Sequence, residues 1–133
     1  NMLKSFKITI IKTKEPKNRI NERLYWFSET LGMLNDRDKE SSCYRIFVEL
    51  VKAVKANQRL SSDELAMRAN LTRGTVVHHL HKLIDAGAVV SLEERYFLSE
   101  PNLKLMIGVI KKNILGTLGT VELVAEELDK ELT

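Results

Sequence analysis

The chain has little of what would mark an enzyme, a disulfide-stapled scaffold or a membrane protein. It carries one cysteine, Cys43, in 133 residues. One cysteine excludes an internal disulfide framework and points to a reducing compartment. No apolar run approaches the roughly 18 residues of a membrane span. The N-terminus has lysines but no uninterrupted apolar core of signal-peptide type, so a cytoplasmic location and no membrane partner are expected. Asn1 precedes Met2, which is read as the natural start. There is no G-x-S-x-G, no phosphate loop, no H-E-x-x-H and no paired carboxylates in an evident catalytic setting. We therefore expect no enzyme chemistry and no cofactor.

What is present is an ordinary globular composition, 44% apolar and 29% charged. At this length about one domain is expected, able to bury roughly two-thirds of its unfolded surface without a metal or a disulfide. Net charge is +3, unevenly spread. Residues 1 to 23 hold Lys4, Lys7, Lys12, Lys14, Lys17, Arg19 and Arg23 against Glu15 and Glu22. Residues 122 to 131 hold Glu122, Glu126, Glu127, Asp129 and Glu131 against Lys130. The plain reading is two solvated faces. The functional reading is a basic arm near a polyanion, with an acidic tail held away from it.

"SFKITIIKTK" (5 to 14) alternates apolar and polar residues, as a half-buried strand does, and its lysines can protect an exposed edge. "EPKN" ends it. "RINERLYWFSETLGML" (19 to 34) has helical spacing. "NDRDKE" (35 to 40) is a polar linker. "SSCYRIFVELVKAVKAN" (41 to 57) is a second helix, with Ile46, Phe47, Leu50, Val51 and Val54 inward; a serine can cap its start and Asn57 suits its end.

Two helix-start signals then follow each other. Ser61 and Glu64 make the S-x-x-E capping box, stapled by Leu60 and Leu65. Thr72 can cap a second helix, stapled by Leu71 and Val76, and Gly87 stands where a C-terminal stop belongs. Only about three residues separate the two helices, the connection of a helix-turn-helix. Ala88 to Leu92 and Arg95 to Leu98 read as a hairpin turning at Glu93 and Glu94. From Pro101, placed for a first helical turn, apolar residues recur every three or four positions to Leu132. Gly116 and Gly119 interrupt that stretch and mark a kink, a break or a close helix crossing.

The stretch "LTRGTVVHHLHKL" (71 to 83) carries the chemistry. On a helical wheel Val76, Leu80, Leu83 and Ile84 share the inner face. His78 lies opposite, flanked by Gly74, Thr75, His81 and Lys82, and His79 is nearer the buried edge. The outer face has donors, small residues and no carboxylate before Asp85, which suits a helix entering a major groove about 12 Å wide. Thr72 and the N-terminal amides can take a phosphate, Arg73 can fork onto a guanine or a phosphate, and Lys82 can neutralise another. A metal site is disfavoured, because i, i+1 and i+3 histidines spread around a helix. If the histidines meet DNA, binding should strengthen as pH falls toward about 6.

"LSSDELAMRANLTRGTVVHHLHKLIDAGAVV" resembles the winged helix-turn-helix of ArsR-type regulators. Ser61, Glu64, Leu65, Ala66, Leu71, Thr72, Thr75, Val76, His79, Leu80, Leu83, Ala86 and Gly87 match the pattern, and the likeness covers about residues 42 to 100. It implies a dimer that binds double-stranded DNA, with Thr72, Arg73, Thr75, Val77 and His78 near bases or backbone, and terminal helices forming the dimer. The chain departs from metal-sensing members in having no cysteine over 61 to 70. Its turn, Glu93-Glu94, is acidic where a DNA-touching wing is usually basic; Arg95 could do that work.

The fold expected is mainly α with a small β-hairpin wing, a winged helix-turn-helix with added N- and C-terminal dimerisation helices. Residues 1–40 would be an arm and dimerisation segment, 41–100 the DNA-binding domain and 101–133 the C-terminal dimerisation helix or helix pair. The expected function is a homodimeric transcription regulator, joined through 19–34 and 101–132. The alternative is a winged helix that docks on a protein. Residues 59 to 95 hold five basic and five acidic side chains, so that segment alone should bind DNA weakly. Trp26, with Tyr25, Phe27 and Met33, reads as dimer or domain core before an effector pocket, and the effector, if any, is unassigned.

Overall fold

The computed structural model describes residues 19–32 and 41–133. The strand expected over 5–14 lies outside the described residues, as do Met33 and Leu34. Helices α1 (Ile20–Thr30), α2 (Ser42–Lys55), α3 (Ser62–Ala69), α4 (Arg73–Asp85) and α5 (Leu103–Leu132) enclose strands β1 (Leu60–Ser61), β2 (Val89–Leu92) and β3 (Arg95–Leu98). The protein is mainly helical with a small antiparallel sheet. None of these helices is long and apolar enough to cross a membrane.

α2 is the axis of the core. Its apolar residues recur at three and four, so Ile46, Phe47, Leu50 and Ala53 are all buried. Against them pack Leu65 of α3, Val76, Leu80 and Leu83 of α4, and Leu98 of β3. The end of α2 is closed by Asn57 at φ 55°, with Asn57 N–H donating to Val54 O (3.1 Å) and Gln58 N–H to Ala53 O (2.8 Å). That paired pattern satisfies carbonyls the helix leaves open. The start differs from expectation. Ser41 stands at the cap with φ 54°, and its side chain makes no capping bond. In that left-handed backbone the hydroxyl is not placed over the first turn.

The α3 start is a complete capping box: Glu64 N–H donates to Ser61 Oγ (3.1 Å), and Ser61 N–H donates to Glu64 Oε1 (3.0 Å). Asn70, at φ 55°, ends α3, and residues 70 to 72 alone separate it from α4. Arg45 of α2 pins this turn by donating to the carbonyls of Ala69 and Asn70, where the negative end of the helix dipole lies. Beyond α4 and its capping Ala86 the chain turns away at Gly87, φ 83°, with Ala88 N–H donating to Leu83 O (3.0 Å).

The hairpin is part of a three-stranded sheet ordered β1-β3-β2. Val90 pairs with Phe97 and Leu92 with Arg95, while Leu60 and Ser61 of β1 pair with Tyr96 and Arg95. The two-residue β1 lay hidden in the capping box at sequence level. Glu93 and Glu94 make the turn at φ 52° and 62°, both left-handed.

α1 leans on α2 through Phe27 stacked on Phe47 (6.1 Å) and Tyr25 edge-on to Tyr44 (5.4 Å). α5 starts two residues later than Pro101 suggests. Asn102 takes the cap, its Oδ1 accepting from Leu105 N–H (2.9 Å), so Pro101 precedes the helix and is not in its first turn. α5 is one unbroken helix through Gly116 and Gly119. Met106 and Ile110 are buried in the core, with Leu103, Ile107 and Ile114 against it. From Thr120 onward every residue is exposed.

Candidate functional site

α4 is held from behind and open in front. Val76, His79, Leu80 and Leu83 are buried beneath it. Its capping residue Thr72 accepts from Thr75 N–H (3.2 Å) and donates to Thr75 Oγ1 (2.9 Å). Thr72, Arg73, Gly74, His78, His81 and Lys82 are exposed, and Thr75 and Val77 half-buried. The wheel reading of this helix therefore holds, with His79 inside. His78 lies edge-on against His79 at 5.3 Å. A β-carbon added at Gly74 would meet nothing within 4 Å, so the leading turn is slim on its open side. Among the described residues no group of three or more histidine, cysteine or acidic side chains gathers to hold a metal.

The cations of this surface differ in freedom. Lys82 is in no ion pair among the described residues. Arg73 leans back on α3, its Nε 3.4 Å from Ser62 Oγ and 3.5 Å from Asp63 Oδ1, yet its side chain remains 70% exposed. Such an exposed pair is worth about 0–1 kcal/mol and opens readily. Arg95 is more committed. It donates to Glu64 Oε1 at 2.7 Å and to the Arg59 carbonyl at 3.3 Å. Glu64 thus serves Ser61 and Arg95 together. The Ser61 N–H is the main cause holding its carboxyl below the usual glutamate value, helped by the Ser61 hydroxyl and Arg95.

Sequence reasoning passed over two arginines. Arg45 fixes the α3–α4 turn from 24 residues away. Arg59 lies 4.2 Å from the centre of the Phe97 ring and lines the same pocket as Arg95. Nothing local signals either contact, although Arg59 stands two residues before Ser61 of the capping box.

No family model, curated protein or solved structure matches the chain. The geometry of α4 and its surroundings must carry the functional reading.

Proposed function

We propose that the protein is a homodimeric, sequence-specific transcription regulator that binds double-stranded DNA through a winged helix-turn-helix. α3 and α4 are the helix pair, α4 is the recognition helix and the β2–β3 hairpin is the wing. The observation that carries this reading is the outer face of α4. It is exposed from Thr72 to Lys82, offers Arg73, His78, His81 and Lys82, and has no carboxylate before Asp85. Residues with these donors on a slim, capped helix suit base edges and phosphates in the major groove. The exposed apolar stripe of α5 supplies the dimer, and a two-fold axis would set two recognition helices about 34 Å apart.

The test is selection of random and genomic duplexes at two salt concentrations, with the retained DNA sequenced. An inverted repeat, with affinity falling steeply in salt, is expected. Arg73→Ala should then cost about 1–3 kcal/mol and relax preference at one position, whereas Lys82→Ala should weaken all sequences and lower the salt slope by about one. Sequence-blind or absent retention would refute the reading. One observation favours a second: the acidic Glu93-Glu94 turn and the Glu64–Arg95 pair leave the hairpin poorly suited to a polyanion. A docking module for a protein would show a DNA-independent partner that occludes residues 72–82.

A further inference from the structure

Where α1 crosses α2 and the start of α5 lies an open cleft of about 380 Å³. Its walls are apolar, from Ile20, Leu24, Phe27, Val51 and Leu103. Its polar side chains are Arg23, Lys55 and Trp26, and all three are donors. No lining side chain accepts a hydrogen bond. Neither Arg23 nor Lys55 is in an ion pair among the described residues. The indole Nε1 of Trp26 is buried and has no hydrogen-bond partner among the described residues. A buried N–H without an acceptor costs free energy, and such groups are uncommon in folded proteins.

We propose that this cleft binds an amphipathic monocarboxylate, either a medium-chain alkyl acid or an arylalkyl acid. The apolar walls take the body, and the donors take the headgroup. Small-ligand sites have this make-up, apolar with a few convergent polar groups, and about 300–1,000 Å³ is usual. A carboxylate brings acceptors that can serve Arg23 and Lys55 together, with the Trp26 ring beside them as part of the wall. Charge selects against this chain's own N-terminal segment as the occupant. Its lysines, Lys4, Lys7, Lys12, Lys14 and Lys17, would face two more cations. The inference does not rest on DNA binding, because no residue of α4 lines the cleft and the cleft carries its own reporter.

Trp26 is the only tryptophan. Its fluorescence in the full chain would be titrated with octanoate and phenylbutyrate, and in parallel with octanol and phenylbutanol. At least one acid should give a saturable change, tenfold or more tighter than its alcohol. Arg23→Gln/Lys55→Gln, both at exposed positions, should weaken the acid at least tenfold and leave the alcohol unchanged, with melting unaltered as a check on folding. No saturable change with either acid into the low millimolar range would overturn the proposal, as would acids no tighter than alcohols. A tryptophan signal that follows protein concentration and ignores both acids would also overturn it, and would assign the cleft to a second copy.

Discussion

Substituting Leu118 on α5 by glutamate tests where a second copy would sit. Ile114, Leu118, Val121, Ala125, Leu128 and Leu132 alternate in steps of four and three, the repeat that keeps one seam toward a partner helix. Leu118, Val121, Leu128 and Leu132 are 52%, 55%, 46% and 81% exposed, so no described residue of the same chain covers the seam. Complete burial of a leucine is worth about 1.5–3 kcal/mol, and about half of that remains to be gained at Leu118. Under two-fold symmetry each substitution counts twice, so Leu118→Glu removes about 2 kcal/mol of burial. It also places two carboxylates in the seam, near Glu122 of each copy. A total loss of about 3 kcal/mol corresponds to at least a hundredfold in the dimer Kd. Leu123 is the control. It is 63% exposed and lies on the opposite side of the helix, so Leu123→Glu should leave the dimer intact. Sedimentation equilibrium reads both. A wild-type chain monomeric at about 100 micromolar, or equal dissociation by the two variants, would refute the seam. The salt dependence has a definite sign. Glu122, Glu126, Glu127, Asp129 and Glu131 from two copies repel, so added salt should tighten the dimer while it weakens any DNA complex.

Four further outcomes follow from local geometry. Gly116→Ala and Gly119→Ala should each stabilise α5 by up to about 1 kcal/mol in chemical denaturation without dissociating the dimer, since both stand away from the seam and a β-carbon there meets nothing; dissociation would place a close helix crossing at the glycines. Glu93→Asn with Glu94→Gly should raise stability by about 1 kcal/mol or more, because a two-residue turn with both residues left-handed is relieved by that pair; unchanged melting would mean the turn is not strained. Ser61→Ala should cost about 1 kcal/mol through the lost cap. The depressed Glu64 carboxyl gives a pH signature. Its contribution to stability is present above the unfolded value of about 4.3 and is lost as pH falls through the lower folded value. The stability gap between wild type and Glu64→Gln should therefore close in acid, and a gap constant from pH 7 to pH 3 would exclude ionised Glu64 as its source.

What was legible in the sequence was local. The S-x-x-E box, Thr72, Asn57 and Gly87 act within one helical turn, so residue type and spacing identify them, and the structure has each at its boundary. The inner face of α4 followed from periodicity for the same reason. What was not legible depends on chain segments far apart. β1 exists because Leu60 and Ser61 pair with Tyr96 and Arg95. Ser41 fails as a cap because the backbone entering α2 is left-handed there, which its residue type does not announce. Pro101 stands two residues before α5 because the Asn102 side chain caps the helix, a bond that proline's place in the sequence does not announce.

The same division ranks the site. Arg73, Lys82 and Arg95 look alike in a sequence, three cations near one helix pair. In the folded chain they are not equivalent. Lys82 is in no ion pair among the described residues, and Arg73 is held by two long contacts, to Ser62 and to the exposed Asp63. Arg95 shares its carboxylate partner with the cap of α3, so drawing it toward a phosphate would leave Glu64 beside that phosphate without its neutralising partner. An arriving polyanion would meet Glu93 and Glu94 at the hairpin turn and an Arg95 already paired with Glu64, whereas α4 offers Arg73, His78, His81 and Lys82 with Asp63 alone opposing them among the described residues. Any DNA that binds should therefore approach along α4 from its N-terminal turn, with the hairpin turned aside. Arg95→Ala should accordingly lower stability more than DNA affinity, and the reverse result would bring the hairpin back to the DNA.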